Sequence, residues 1–465
     1  MAPFFFLFVV ACSPSTHETN PDTRVSLIGG VPFSALSVAY SPNPAGWFVN
    51  GNGEFSGFEY DLLRAYSEEA HLRLNPVHAA DSNELRRKLE RDKASVSTGL
   101  FYSNFGGTPR NAKILWTTPY FTSDVLLVYN TDQRRPRNWN DVVNSDTVVY
   151  IKDAGMDKVV YELSQRYRNV RWRAVSVSSA DALFEQVNSG AYSLALVPEH
   201  QAILAGNLYL NVATAFPTGK TLKMAWAVPA NKPFLRDSLN AFIARAKENG
   251  TIDALADRYF YHPQLVNRFD AGVFHERITK DLPAIRALFY DAQNETGIEW
   301  RLLAALAYQE SQWDPEATSE TGVRGLMQIT MDTARYLGLN DRLNPQKSVV
   351  AGAYYLRQLK NRFPENIAEP DRTWLALASY NIGIGHVEDA QQLALERGLN
   401  PWLWTDVRKM LPLLAQPEFN KNTRYGYAKG GTAVIYVARI RAYYDILLHR
   451  EPDNLEAELL LAGKD

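Results

Sequence analysis

The feature that most constrains this chain is a change in its hydrophobic period. Before residue 265, short apolar runs suited to buried strands alternate with helical stretches of about 12 residues. Leu36-Ser37-Val38-Ala39-Tyr40 alternates with period two, and Gly57 to Leu63 opens a helical stretch. Val125 to Tyr129, Thr147 to Ile151 and Leu194 to Val197 read as buried strands. Beyond residue 276 the apolar residues return every three to four positions, in Leu302 to Leu306, Ala351 to Leu359, Leu375 to Tyr380 and Ala433 to Leu448. No strand pattern reappears there. One layer architecture does not hold both patterns, so the reading is an α/β unit with largely parallel strands, then an all-α unit. The join falls near Pro263 to Gly272.

Composition narrows the function classes. Lys and Arg number 49 against 51 Asp and Glu, a formal charge of -2, so no global basic field recruits nucleic acid. Hydrophobic residues at 46% and charged residues at 22% exclude a disordered chain and a multi-span membrane protein. The single cysteine, Cys12, allows neither an internal disulfide nor a thiolate zinc cluster. No HExxH motif or dense Asp/Glu/His cluster appears, so neither a metal nor another cofactor is expected.

Among the helical stretches, a particular carboxylate stands out. Leu303, Leu306, Ala307 and Glu310 fall at i, i+3, i+4 and i+7, so Glu310 continues the apolar stripe of its helix. A carboxylate there loses hydration, which raises its pKa and lets it donate a proton near neutral pH. Trp313-Asp314-Pro315 predicts that the helix ends soon afterwards, because the residue before a proline avoids α geometry. Asp314 itself reads as a turn residue, so no facing carboxylate pair is expected.

Glu310-Ser311, Gly325-Leu326-Met327-Gln328, Tyr380-Asn381 with Gly383, and Tyr436-Val437 resemble, in order and spacing, the lysozyme-like soluble lytic transglycosylase domain over residues 276–450. The resemblance implies cleavage of the MurNAc-β-1,4-GlcNAc bond of peptidoglycan with closure of a 1,6-anhydro ring on MurNAc. It implies that Glu310 serves as acid and then as base, and that Tyr436 orients it. Gln328 and Asn381 would hold the sugar, Met327 would floor the groove, and Ser319 would lie near the N-acetyl group. Ser311 and Tyr380 belong to the same orienting and substrate-binding set. Without a second carboxylate, the substrate's own N-acetyl oxygen would stabilise the cation.

The first unit carries Gly57-Phe58-Glu59-Tyr60-Asp61-Leu62, Thr108-Pro109-Arg110, Pro119-Tyr120-Phe121 and Gly250 to Leu255. These resemble the solute-binding protein family 3, a two-lobed periplasmic-binding-protein-like fold with its ligand in the cleft. The resemblance places that domain at 35–265, with lobe one at 35–127 and 224–262 and lobe two at 128–223. Arg110 would grip a ligand carboxylate. Pro198 stands where the family often has an aspartate, with Glu199 one step on, and Asp153-Ala154-Gly155-Met156 replaces the Gly-Ser/Thr-Thr loop. The implied ligand is therefore a stem-peptide or muropeptide fragment of the cell wall rather than a free amino acid.

At the amino terminus, Phe4 to Ala11 followed by Cys12 and Ser13 resembles a lipoprotein signal over 1–12. It implies lipid on Cys12, a tether over 13–34 and attachment to the periplasmic face of the outer membrane. Residues 451–465 read as a loose acidic tail. The expected whole is a peptidoglycan lytic transglycosylase regulated by its binding domain. The alternative is a ligand sensor whose helical domain is inert or a hydrolytic muramidase.

Overall fold

The computed structural model describes residues 26–28, 31–43, 46–49, 54–99, 113–142, 146–177, 179–261, 266–319, 322–338 and 341–452. The chain first builds β1 (Ser26–Ile28), β2 (Val31–Tyr40), the short pair β3 (Phe48–Val49) and β4 (Phe55–Ser56), then α1 (Phe58–Glu69), β5 (Leu72–His78), α2 (Ser82–Glu90), β6 (Val96–Ser97) and β7 (Ile114–Trp116). It crosses on β8 (Phe121–Asn130) into a second lobe of β9 (Thr147–Ile151), α3 (Ala154–Arg166), β10 (Arg171–Val175), α4 (Ala180–Asn188), β11 (Leu194–Pro198) and α5 (Glu199–Leu208). It returns on β12 (Val212–Met224) to β13 (Ala227–Pro229), α6 (Pro233–Glu248) and α7 (Thr251–Ala256).

The two sheets have strand orders β1-β2-β6-β13-β7, with β5 beside β2, and β10-β9-β11-β8-β12. Strand β2 runs parallel to β5 and β6, and β9 runs parallel to β10 and β11. The expectation of largely parallel sheets needs correction. Strand β8 pairs antiparallel with β11 and β12, and β13 pairs antiparallel with β6 and β7. The cause is the double crossing, which brings strands into each sheet against the direction of its βαβ units.

A π-helical turn, Asp257–Tyr261, precedes the helical unit. That unit comprises α8 (Arg268–Lys280), α9 (Leu282–Thr296), α10 (Trp300–Ser311), α11 (Met331–Tyr336), α12 (Pro345–Asn361), α13 (Asp371–Ile382), α14 (Ile384–Glu396), α15 (Trp404–Met410), α16 (Pro417–Asn420) and α17 (Gly430–Arg450). Helix α8 begins inside the stretch read from sequence as a join. The Asn267 side chain caps it, accepting from Asp270 N at 2.9 Å. The stretch read as a loose tail is also held at its start. Arg286 pairs with the Glu451 carboxylate at 2.7 Å, and Arg301 donates to the Glu451 carbonyl at 2.8 Å.

Helix α10 is the axis of this core, with α9, α12 and α17 packed around it. Residues 300–308 are buried on every face, so the one-sided stripe expected from sequence is only a fraction of a fully enclosed helix. Even Arg301 is enclosed, its charge met by Glu299 at 2.8 Å, and Glu299 also caps the helix by accepting from Leu302 N at 3.0 Å.

The two units meet through a buried ionic junction. Arg258 donates to Asp61 of α1 at 3.1 Å and to Asp371 at the start of α13. Tyr259 donates to Asp61 at 2.5 Å, Arg441 of α17 donates to the Arg258 carbonyl, and Arg408 pairs with Asp257. The second lobe is tied separately. His275 Nε2 lies 2.9 Å from the Asn207 carbonyl, and Arg268 donates to the Val212 carbonyl.

Candidate active site

Helix α10 stops abruptly one residue after Glu310. Gln312 and Trp313 both adopt left-handed backbone, with φ of 52° and 65°. Such residues cost about 1–3 kcal/mol each and persist only where the surroundings fix them. Here the Trp313 indole Nε1 folds back to donate to the Ala304 carbonyl at 2.8 Å. The stop therefore comes from the Gln312–Trp313 pair rather than from Pro315, and it leaves Glu310 on the last turn.

Glu310 is half-buried. Tyr436, enclosed on α17, donates its hydroxyl to Glu310 Oε1. Burial pushes the Glu310 carboxyl up to about 7, against the opposing pull of the Tyr436 hydrogen bond. A group titrating there is protonated often enough to act as an acid and ionised often enough to act as a base. Burial, and then the Glu310 charge, hold the hydroxyls of Tyr436 and Tyr380 well above the ordinary tyrosine range. Asp314 is exposed, and its Oδ1 accepts from Glu316 N at 2.9 Å, so it closes a turn as expected.

The adjoining wall is the segment around residues 325–328. Gly325 has φ +95°, and a Cβ there would collide with the Arg342 carbonyl oxygen, so only glycine fits. Met327 is fully buried, and its carbonyl accepts from the Tyr380 hydroxyl at 2.9 Å, which ties the wall to α13. Gln328 Nε2 donates to the carbonyls of Ala317 and Gly325 at 3.1 and 2.9 Å. That fixes the amide, and its Oε1 is left shut from solvent with no partner. An acceptor held in this way is ready for an N–H or O–H donor.

The sequence-derived residues divide into groups. Glu310, Tyr436, Tyr380 and Met327 form one connected cluster, with Gln328 beside Met327 on the wall. Ser311 is spent inside the protein, its Oγ 2.8 Å from the Leu326 carbonyl, where it ties the helix end to the wall. Ser319 Oγ accepts from Val323 N at 3.0 Å, closing a turn. Asn381 is exposed at the end of α13, before Gly383 ends the helix. In the first unit, Glu199 opens α5 half-buried, its carboxyl raised by burial and then by Asp124. Arg110 and Cys12 lie outside the described residues. Sequence reasoning missed Trp313 and Ser348, whose Oγ accepts from Met327 N at 3.2 Å. A serine inside a helix and a tryptophan two residues before a proline carry no local signal of such roles.

Comparison with known proteins gives two family matches. Residues 287–402 match the transglycosylase SLT domain, and residues 36–262 match the bacterial extracellular solute-binding proteins, family 3. Tyr436 lies beyond the first of these segments. A membrane-bound lytic murein transglycosylase F of Pseudomonas fluorescens is 35% identical over 463 residues, spanning 98% of this chain and 92% of the relative. A protein of the same name from Stutzerimonas stutzeri is 36% identical over 458 residues, spanning 98% and 91%. Among solved structures, an ancestral arginine-binding protein bound to arginine aligns with 49% of this chain and 98% of its own length, at 17% identity and a TM-score of 0.42.

Proposed function

The chain belongs to the membrane-bound lytic murein transglycosylase F family, and from that premise we propose that Glu310 carries the reaction, first as acid and then as base. The activity is lytic cleavage of murein. The observation that carries the assignment of the residue is geometric: Glu310 stands half-buried on the last turn of α10 with the Tyr436 hydroxyl on its carboxyl, which burial raises to about 7. In the first step the protonated carboxyl gives its hydrogen to the glycosidic oxygen, the bond from that oxygen to MurNAc C1 breaks, and GlcNAc leaves with a free O4 hydroxyl. The N-acetyl oxygen of MurNAc holds the electron-poor C1 meanwhile. In the second step the Glu310 carboxylate takes the C6 hydroxyl proton, and O6 bonds to C1 to close the anhydro ring. The carboxyl ends the cycle protonated as it began, and no water is consumed.

Tyr436 keeps Glu310 in one rotamer and favours its charged form for the second step. Gln328 Oε1 and Asn381 supply polar contacts for the sugar, with Met327 as floor. The substrate's own acetamide stands in for the facing carboxylate that a retaining or inverting pair would need. Peptidoglycan digested with the full chain should yield anhydro-muropeptides by mass spectrometry, and Glu310→Gln should abolish them. Products with reducing ends would indicate a muramidase and sink the reading.

The two-lobed domain, in this reading, binds a cell-wall fragment, with Arg110 and Glu199 on its cleft, and regulates the helical domain. Support comes from the junction. Asp371 and Tyr380 share α13, and Arg441 and Tyr436 share α17, so the helices gripped by Arg258 also carry groups around Glu310. Lipid on Cys12 anchors the protein to the periplasmic face of the outer membrane.

A further inference from the structure

The sheet of the second lobe is covered by different elements on its two faces. Val125, Leu127, Leu194 and Leu196 pack with Trp139 and with Val159 and Leu163 of α3. Val128, Ala195 and Val197 alternate with them and point the other way, into Leu183 and Phe184 of α4 and Ala205 of α5. Helix α5 is the element of this lobe that meets α8 and α17 of the helical unit. The α3 face is therefore turned away from the helical unit.

That outward face is basic. The chain leaves β8 through a loop in which Arg134, Arg135 and Arg137 are exposed, and with Ala215 these three line a hollow of about 530 Å³. The loop is firmly held. Asn130 Oδ1 accepts from Asp132 N at 2.8 Å, Asp141 Oδ2 accepts from Arg137 N at 2.7 Å, and Arg135 Nη2 donates to the Ala215 carbonyl at 2.8 Å. The buried Trp139 follows in a single 3-10 turn and stacks on Tyr167, ring centres 5.0 Å apart. Arg166 lies 5.5 Å from the centre of that Tyr167 ring, so the exposed Arg166 and Arg168 border the same aromatic floor. Among the described residues none of the five arginines pairs with a carboxylate. Asp141 is spent on the Arg137 amide, and Glu162 on Lys220 at 2.7 Å. Asp132 is the loop's one exposed acid. Surfaces ordinarily intersperse the two signs, and a field of one sign draws in an opposite partner.

We propose that this arginine-lined face binds the phosphates of an anionic phospholipid bilayer, with Arg134, Arg135 and Arg137 around one headgroup. Guanidinium forks match phosphate oxygens in pairs, and a held loop loses little freedom on binding. A face turned from the helical unit cannot hand a glycan strand to Glu310, which argues against the wall as the occupant. The proposal rests on the reading of the chain as membrane-attached, because its curated relatives carry that description, and it names a second contact besides Cys12. An electrostatic contact of this kind is weak and reversible by itself, so it orients the anchored chain and does not replace the anchor. With the α3 face on the lipid, the helical unit stands on the side of the lobe away from the bilayer.

The test uses the full chain carrying Cys12→Ser, so that no acyl chain takes part. Vesicles of phosphatidylcholine alone, or of phosphatidylcholine with about one third phosphatidylglycerol, are mixed with it and bound protein is read by flotation. Binding to the anionic vesicles should be tighter on the order of a hundredfold. Arg134→Gln with Arg137→Gln should lower it roughly thirtyfold, about fivefold for each arginine, while soluble murein strands are digested at the unaltered rate. Arg87→Gln with Arg91→Gln removes the same charge from exposed positions at the end of α2 and should leave vesicle binding unchanged. Equal binding to the two kinds of vesicle, or an equal loss in the two double variants, would overturn the proposal. Inorganic phosphate bound by these arginines without any vesicle binding would make the hollow a free-anion site and overturn it too. With Glu310→Gln added, retention on insoluble sacculi should not depend on Arg134 and Arg137, and a matching loss there would give the face to the carboxylates of the wall. None of these failures touches the Cys12 anchor, which is absent from the experiment.

Discussion

Glu310→Gln should stabilise the helical domain, and only away from acid. The ordinary carboxyl value is 4.5, whereas burial moves Glu310 to about 7 in the folded chain. Below about pH 4.5 the group is neutral in both folded and unfolded states and has no effect on stability. As pH rises from 4.5 towards 7, the unfolded chain ionises while the folded one keeps its proton, so folding weakens. Above 7 the loss is complete, and the interval from 4.5 to about 7 corresponds to roughly 3 kcal/mol at about 1.4 kcal/mol per pH unit. Glutamine never ionises, fits the same space, and its Oε1 still accepts from the Tyr436 hydroxyl. Urea unfolding of wild type and variant at about pH 4 and about pH 8 isolates the effect, because every other titrating group cancels in the double difference. The variant should gain roughly 3 kcal/mol at the higher pH and almost nothing at the lower one. A gain independent of pH, or a loss at about pH 8, would refute the account of Glu310 as a carboxyl kept protonated by burial. The same substitution should silence the enzyme, so stability and activity trade against each other at one atom pair.

Three further outcomes are expected. Tyr436→Phe removes the donor that favours the charged form, so the limb on which activity falls with rising pH should move upward by about one pH unit, with turnover reduced on the order of tenfold. A pH profile of anhydro-muropeptide release checks this, and an unmoved limb would contradict it. Turnover of sacculi should change when soluble muropeptides are added, since an effector acts only by binding two states unequally, and identical rates would remove regulation by the cleft. Cys12→Ser should shift the chain from the outer-membrane fraction to the soluble periplasm, whereas unchanged fractionation would exclude lipid at that residue as the anchor.

The hydrophobic period made the two-unit architecture legible, because strand and helix patterns are local and each spans only a few residues. Glu310 was legible for the same reason, as it sits in register with Leu303 and Leu306 on one helix. Its environment was not. Tyr436 lies 126 residues further along the chain, and only a family resemblance pointed to it. Trp313 folding back on Ala304, Ser348 beneath Met327, and Arg258 reaching Asp371 across 113 residues leave no periodic trace. The mixed sheets were misjudged because apolar runs report burial and say nothing of strand direction.

The Arg258 junction bears on how the molecule can be divided. Severing the chain where its period changes would take the Arg258 guanidinium from Asp371 and the Arg258 carbonyl from Arg441, at the head of one helix and midway along another around the reaction centre. The buried Asp371 carboxylate would keep Trp404 N but lose the cation that faces it. The murein-cutting half is thus no detachable cassette. It borrows some of its interior from the half that precedes it, and the two should melt as a single cooperative body.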